Sequence, residues 1–300
     1  FRLGDLEAYR DYLRSHESEI LEPGIAFPFV RRLLGLNRGL EGDPVEVVLL
    51  SQNSSDTGLR VMESIEAHGL DISRAAFLSG EDPGPYMEAF NAVLFLSANE
   101  DHVRRAMEAG LPAGRVHGRI ELDDSSDEEV RIAFDFDGVL VDDAAEAVYA
   151  ERGLAKYQQH ETEHATEPLD AGPLKAFLER VAELQKQEKE RLEADPSYKI
   201  RLKTAIVTAR NAPAHKRVVH TLRDWGIHVD QTFFLGGMDK SRVLKEFKPH
   251  VFFDDQWDRV EEAGEVAPSV HIPFGVRNQE HTDQWDQELG DAPRQAPEVD

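Results

Sequence analysis

The chain has 300 residues, 40% of them hydrophobic, which is enough to bury a sizeable core in one large domain or two. Its 58 Asp and Glu outnumber 34 Lys and Arg, and the net charge of −24 predicts that nucleic-acid polymers are repelled. The absence of cysteine excludes disulfides and thiolate sites and fits a cytoplasmic protein. No apolar run approaches the roughly 18 residues of a membrane span, so no membrane partner is expected.

Short apolar runs alternate with amphipathic stretches along the chain, as they do where helices connect parallel strands. The pattern predicts an α/β fold with a largely parallel sheet. The predicted strands are 45–51, 75–79, 92–97, 131–135, 204–208, 232–235, 250–254 and 270–273. The predicted helices are 56–68, 100–109, 172–189, 214–225 and 240–247.

An internal repeat relates the two halves of the sequence. Pairs of identical residues 157 positions apart are Arg60 and Arg217, Gly69 and Gly226, Phe77 and Phe234, Gly80 and Gly237, and Phe95 and Phe252. An earlier segment matches at 148 positions, as Gly24 does with Gly172. A constant spacing is typical of a duplicated structural unit. The alternative is that two unrelated βα-rich segments share similar Gly and Phe spacing.

The repeat predicts an internally duplicated α/β protein with a tail. Residues 1–127 form one copy and residues 128–276 the other, which carries a small, mainly helical cap inserted at about 141–199. Residues 277–300 are polar and acidic and are expected to be a flexible extension.

The first copy is expected to be non-catalytic. Its strands end in Ser51 and Ser97 where the second copy has Thr208 and Asp254, so it lacks the acidic group. Its counterpart of strand 131–135 would precede the first residue, so we expect further N-terminal residues that include a strand.

Functional side chains follow the strand ends of the second copy, and ligands of open α/β sheets bind at that edge. They are Asp135, Asp137, Thr208, Arg210, Lys240, Asp254 and Asp255. Two carboxylates roughly 4 Å apart repel by about 4 kcal/mol at an effective dielectric near 20, so a hard cation is expected between them. An all-oxygen site with few dedicated ligands suits Mg²⁺. Like charges also favour a proton on Asp137 once a phosphate dianion binds.

These residues resemble the motifs of the haloacid dehalogenase (HAD) superfamily of aspartate-nucleophile phosphatases, which have a Rossmann-like parallel sheet. The resemblance implies that Asp135 is the nucleophile, Asp137 the acid and base, and Lys240 a phosphate ligand that also screens the nucleophile. It places the metal on Asp135, Asp137 and Asp254, with Asp255 in support. Thr208, Ala209, Arg210 and Gly138 are the expected phosphate and substrate contacts.

A closer resemblance, to the cytosolic 5'-nucleotidase type I family, extends over nearly the whole chain. The stretches that carry it are 49–54, 58–61, 95–98, 168–175, 207–210, 249–256 and 271–276. It implies hydrolysis of nucleoside 5'-monophosphates such as AMP. Gln52 departs from the family pattern, because Arg is expected there in many relatives.

Several alternatives stay open at this stage. The motifs also suit a phosphatase that acts on sugar phosphates or other small metabolites. A hypothesis of a different functional class is a non-catalytic nucleotide-binding regulator. Tyr149 and Tyr157 suit base stacking or packing within the cap, and packing is favoured. His160 and His164 are expected to be structural rather than metal ligands. Arg210 suits either the binding of an anionic ligand or a salt bridge, and Lys175 suits the same two roles more weakly. A homo-oligomer is also an open alternative.

Overall fold

The computed structural model describes residues 11–12, 14–16, 18–119, 124–275 and 278. The expected N-terminal strand and all of the predicted tail except residue 278 lie outside these residues. The strands are β1 Val48–Ser51, β2 Arg74–Phe77, β3 Phe95–Ser97, β4 Ala113–His117, β5 Val130–Phe134, β6 Leu202–Thr208, β7 Gln231–Phe234, β8 Val251–Asp254 and β9 Ser269–His271. The helices are α1 Phe27–Gly35, α2 Ser55–Ala67, α3 Gly84–Ala89, α4 Glu100–Glu108, α5 Ala144–Glu163, α6 Lys175–Ala194, α7 His215–Asp224, α8 Ser241–Phe247 and α9 Trp257–Gly264.

The predicted α/β class is confirmed, and each predicted strand has a counterpart. Strand β4 was not predicted, because its sequence of Ala, Gly, Arg, Val and His contains no apolar run. Among the described residues, no helix combines the length and the apolar character that crossing a bilayer requires.

One sheet of seven strands has the order β3-β4-β9-β8-β5-β6-β7, while β1 and β2 form a separate parallel pair. Neighbours in the larger sheet are parallel except for β4 and β9. The largely parallel sheet is therefore confirmed. Strand β5 lies between β6 and β8, so residues that follow these three strands emerge side by side at one edge.

Strand β5 is buried on both faces, as expected for a parallel strand covered by helices. Ile132 and Phe134 belong to the larger core cluster, and Ala133 between them belongs to a smaller one. Phe134 stacks on Phe253 of β8 with ring centroids 5.3 Å apart. This packing fixes the position of the carboxyl end of β5, and Asp135 is the first residue beyond that end.

The two halves share their order of elements and their strand register. Strand β1 pairs with β2 at Val48 and Arg74, and β6 pairs with β7 at Ala205 and Gln231, which are the positions 157 residues later. The same spacing joins positions of positive φ, namely Gly69 and Gly226, Gly80 and Gly237, and Asn91 and Lys248. These correspondences support the predicted duplication, while the limits of its two copies stay predictions.

The halves meet where β4 pairs antiparallel with β9. The two strands occupy corresponding places, because β4 is the parallel neighbour of β3 and β9 that of β8. Arg115 pairs directly with His271. An antiparallel contact between corresponding strands relates them by an approximate local twofold rotation, as in a symmetric dimer interface. Strands β3 and β4 therefore extend the sheet of the second half.

The segment predicted to form a cap contains two helices with different surroundings. Helix α6 packs on the sheet, since its Phe177 lies 5.8 Å from the Phe253 ring and Val181 is buried in the main core. Helix α5 bends at Gly153, which has φ 73° and ψ 175°. The apolar stripe of α6 draws it onto the sheet, which leaves α5 as the part of the segment that can cover the sheet edge.

Gly172 lies against the main chain of Val141, and a Cβ there would come within 2.4 Å of the Val141 carbonyl oxygen. We expect Gly172→Ala to lower the free energy of unfolding by about 1–3 kcal/mol, because backbone atoms must shift. Gly24→Ala is the matched control, since nothing lies within 4 Å of its added Cβ. The control should change stability by less than about 1 kcal/mol. Urea denaturation measures both, and equal losses would contradict the close approach.

Candidate active site

Asp135 directly follows β5 and is 5% exposed. Its backbone N–H donates to the Phe253 carbonyl at 2.7 Å, and its Oδ1 accepts from the N–H of Phe136 at 2.7 Å. Its Oδ2 lies 2.9 Å from Nζ of Lys240. The main chain and one cation together hold this carboxylate in place.

Lys240 immediately precedes α8 and joins two carboxylates. Its Nζ lies 2.6 Å from Oδ2 of Asp254 and 2.9 Å from Oδ2 of Asp135, and all three side chains are buried. Burial opposes the charged amine, but the two carboxylates outweigh burial and raise the pKa of Lys240 above its usual value. Lys240 therefore stays charged and offsets part of the acid around it.

Asp255 lies against the turn at Gly138. Gly138 has φ 70°, and a Cβ there would come within 2.7 Å of the Asp255 carboxylate, so two constraints favour glycine. The Oδ1 of Asp255 is buried and has no hydrogen-bond partner in the described part of the chain. Burial and the charge of Asp254 raise the pKa of Asp255 well above its usual value. An unpartnered buried oxygen of this kind calls for a ligand.

Oxygens of Asp135, Asp254 and Asp255 lie within 4.8 Å of one another. Burial, with the charges of Asp254 and Asp137, raises the pKa of Asp135 from 3.8 to about 7 against the opposing effect of Lys240. A buried set of carboxylate oxygens, one of them without a partner, fits a hard divalent cation. The donor chemistry therefore agrees with the divalent metal expected from the sequence.

Thr208 ends β6 beside the cluster and is 1% exposed. Its Oγ1 accepts from the N–H of Arg210 at 3.2 Å, which shapes the turn around the exposed Ala209. Because β5 and β6 are neighbours, Thr208 and Asp135 emerge at the same edge. Asp135, Thr208, Lys240, Asp254 at the end of β8 and Asp255 after it thus lie at one edge of the sheet.

The side chain of Arg210 forms a bidentate ion pair with Asp137. Its Nε lies 2.8 Å from Oδ2 and its Nη2 lies 2.6 Å from Oδ1 of Asp137. Arg210 is 3% exposed, whereas the Asp137 side chain is 21% exposed, so the pair is open to water on the Asp137 side. Of the two roles considered for Arg210, the salt bridge is present in this structure. Arg210 also adds a positive charge to this acidic site.

Glu161 on α5 extends this ion pair into a network. One of its oxygens accepts from Nη1 of Arg210, and the other lies 2.9 Å from Nη1 of Arg217 on α7. Arg217 also donates to the Glu167 carbonyl at 2.9 Å. Glu161 is fully buried although α5 is rich in polar residues. The sequence analysis missed Glu161, because a Glu in a polar helix carries no signal of burial.

The two tyrosines of α5 have different surroundings. The ring of Tyr157 lies 5.9 Å from the Arg210 guanidinium carbon and meets Tyr149 edge-on at 6.0 Å. Tyr149 is 43% exposed. Tyr157 therefore packs against Arg210 and Tyr149, whereas Tyr149 is exposed. Whether either ring stacks on a base stays a prediction.

The other candidate residues have the following contacts. His160 and His164 stack on each other with centroids 4.3 Å apart, and Nδ1 of His160 lies 3.3 Å from Oε1 of Glu161. Lys175 pairs with Glu179 and lies over the Trp225 ring. Gln52 donates to main-chain carbonyls in the turn after β2. These contacts are structural in kind.

A family model for 5'-nucleotidase matches residues 1–279 of the chain. The chain belongs to the 5'-nucleotidase family. It is 36% identical over 282 residues to human cytosolic 5'-nucleotidase 1B, and the match covers 91% of this chain and 45% of that protein. The chain thus spans about half the length of this relative. No solved structure gives a significant match.

The raised pKa of Asp135 makes the stability of the metal-free protein depend on pH. The native state holds this proton more tightly than the unfolded chain, whose carboxyl has the ordinary pKa of 3.8, so stability is lost as pH rises toward about 7. Asp135→Asn removes this loss. We expect the melting temperature in EDTA to fall more for the parent than for the variant between about pH 5 and pH 8.

Magnesium should reverse part of this loss in the parent, because a bound cation stabilises the ionised carboxylates. The exposed Asp224→Asn on α7 is the matched control and should behave as the parent. If the melting temperatures of the parent and Asp135→Asn fell equally with pH, ionisation of Asp135 would not be what destabilises the metal-free protein.

Proposed function

We propose that this member of the 5'-nucleotidase family hydrolyses nucleoside 5'-monophosphates to nucleosides and phosphate in a Mg²⁺-dependent reaction. The observation that carries the proposal is the buried sheet edge that joins Asp135, Lys240, Asp254 and Asp255. The human relative is named a cytosolic 5'-nucleotidase, and we extend both the substrate class and the compartment to this chain.

The metal is proposed to be held by carboxylate oxygens of Asp135, Asp254 and Asp255, with the backbone carbonyl of Asp137. The buried Oδ1 of Asp255, which has no hydrogen-bond partner among the described residues, supports a direct ligand role for this side chain. When bound, Mg²⁺ supplies charge that screens these carboxylates and stabilises the phosphoryl group.

The substrate phosphate is proposed to bind between Asp135 and the turn that follows β6. The Thr208 hydroxyl and the N–H of Ala209 are the proposed donors at this edge, and Lys240 adds a positive charge beside the nucleophile. The N–H of Gly138, also expected to contact phosphate, already donates to the Asp142 carbonyl at 3.4 Å. Binding thus relies on local cations and main-chain donors within a chain of net charge −24.

In the first step a carboxylate oxygen of Asp135 attacks phosphorus, which forms an aspartyl-phosphate as the ester P–O bond breaks. Asp137 donates a proton to the leaving 5' oxygen. In the second step water attacks phosphorus, Asp137 takes up the water proton, and the Asp135 carboxylate is released with inorganic phosphate. The ion pair with Arg210 suits Asp137 to this second step, in which it acts as a carboxylate base.

A phosphate-release panel tests the proposal. The protein is incubated with AMP, other nucleoside monophosphates and sugar phosphates, with Mg²⁺ or with EDTA. We expect Mg²⁺-dependent release from nucleoside monophosphates. Release from sugar phosphates alone would replace the nucleotide assignment, and no release from any compound would favour a nucleotide-binding regulator.

Single substitutions test the catalytic roles. Asp135→Asn should abolish turnover, because an amide cannot form the acyl phosphate. Asp137→Asn should lower kcat by roughly 10²–10⁴, the usual contribution of a general acid and base. Asp224→Asn should leave kcat unchanged. Near-normal turnover in either site variant, with unchanged folding by circular dichroism, would refute the role assigned to that residue.

A further inference from the structure

Four charged side chains form a continuous row from the cleft into the protein. Asp137 pairs with Arg210, Arg210 with Glu161, and Glu161 with Arg217. Arg210 is 3% exposed and Glu161 is fully buried. Two negative and two positive side chains alternate in this row, so their formal charges balance. The row links helix α5 to helix α7.

We propose that Glu161 is a positioning residue that holds the guanidinium of Arg210 in place while Asp137 gains and loses its catalytic proton. The proposal rests on the function proposed above, because it needs Asp137 to exchange protons with the leaving oxygen and with water. It adds Glu161, on the helix that can cover the site, to the residues that the reaction depends on.

Both carboxylate oxygens of Asp137 are occupied by the guanidinium of Arg210. Arg210 donates to both of its oxygens, at 2.8 and 2.6 Å. A carboxyl group that carries a proton has a hydroxyl oxygen that accepts poorly, so Arg210 must release part of this pair before Asp137 can act as an acid. The exchange therefore requires another partner for Arg210.

Glu161 is placed to be that partner. A buried guanidinium without a carboxylate is costly, and one that has lost its pair tends to move toward water. Glu161 accepts from Nη1 of Arg210, a nitrogen that Asp137 does not use. Arg210 can therefore loosen its hold on Asp137 without leaving the site.

Glu161 is itself anchored from the opposite side. Its other carboxylate oxygen accepts from Arg217, which also donates to the Glu167 carbonyl. Arg217 lies on α7, which begins shortly after the turn that carries Thr208 and Arg210. The anchor therefore fixes Glu161 relative to the same turn that is proposed to bind phosphate.

Glu161→Gln tests the role, with p-nitrophenyl phosphate as the substrate so that the result does not depend on a nucleotide preference. We expect kcat to fall by about tenfold or more and KM to change by less than about threefold, because the interaction acts during proton transfer. Glu161→Asp, which keeps the charge, should recover part of kcat. Glu163→Gln, an exposed position on the same helix, is the matched control and should match the parent.

A double-mutant cycle separates positioning from simple docking of α5. If Glu161 acts through Arg210, Glu161→Gln placed in an Arg210→Lys background should lower kcat by less than about twofold further. Losses that multiply in the double variant would overturn the proposal. Arg217→Gln removes the other partner of Glu161 but leaves the contact with Arg210. Because Arg217 anchors Glu161, we expect Arg217→Gln to lower kcat by less than Glu161→Gln does, even where the two variants lose the same melting temperature. A kcat that follows melting temperature alone across Glu161→Gln, Glu161→Asp and Arg217→Gln would also overturn the proposal.

The failures can be told apart. A parent protein that hydrolyses p-nitrophenyl phosphate but no nucleotide refutes the proposed substrate, and the cycle still decides the role of Glu161. A parent that hydrolyses nucleotides with multiplying losses in the cycle refutes the role of Glu161 alone. A parent that hydrolyses no phosphomonoester refutes both.

Discussion

The ammonium group of Lys240 lies 2.6 Å from Asp254 and 2.9 Å from Asp135, inside a cluster of three buried carboxylates. Buried like charges repel strongly, and each loses hydration that only close partners replace. Lys240 supplies part of that compensation. The raised pKa values of Asp135 and Asp255 show that it does not supply all of it. The remaining imbalance is the physical reason that a divalent cation suits this edge of the sheet.

Three buried cationic side chains lie around one edge of the sheet in this acidic chain. The chain carries −24 overall, yet Lys240, Arg210 and Arg217 are all buried around one sheet edge. Each of them has a carboxylate partner, so none is an isolated buried charge. The phosphate group of the proposed substrate would therefore meet cations that are already paired with carboxylates.

The two halves share one arrangement of strands and helices but carry different residues at the strand ends. Strands β1 and β3 end in Ser51 and Ser97 at the places where β6 and β8 end in Thr208 and Asp254. Without the acids, the first half has no comparable need for a buried lysine or a metal. Its strands β3 and β4 instead extend the catalytic sheet through the antiparallel contact of β4 with β9.

The sequence by itself determined the α/β class, the strands of the sheet except β4, and the residues at their carboxyl ends. It did so because apolar runs mark buried strands and parallel strands place their ends at one edge. Only the tertiary structure decided that α6 joins the core, that Asp255 keeps an unpartnered oxygen, and that Glu161 holds Arg210. Arg210 lies 73 residues from Asp137 and 49 from Glu161 along the chain, and no local pattern encodes contacts over such separations.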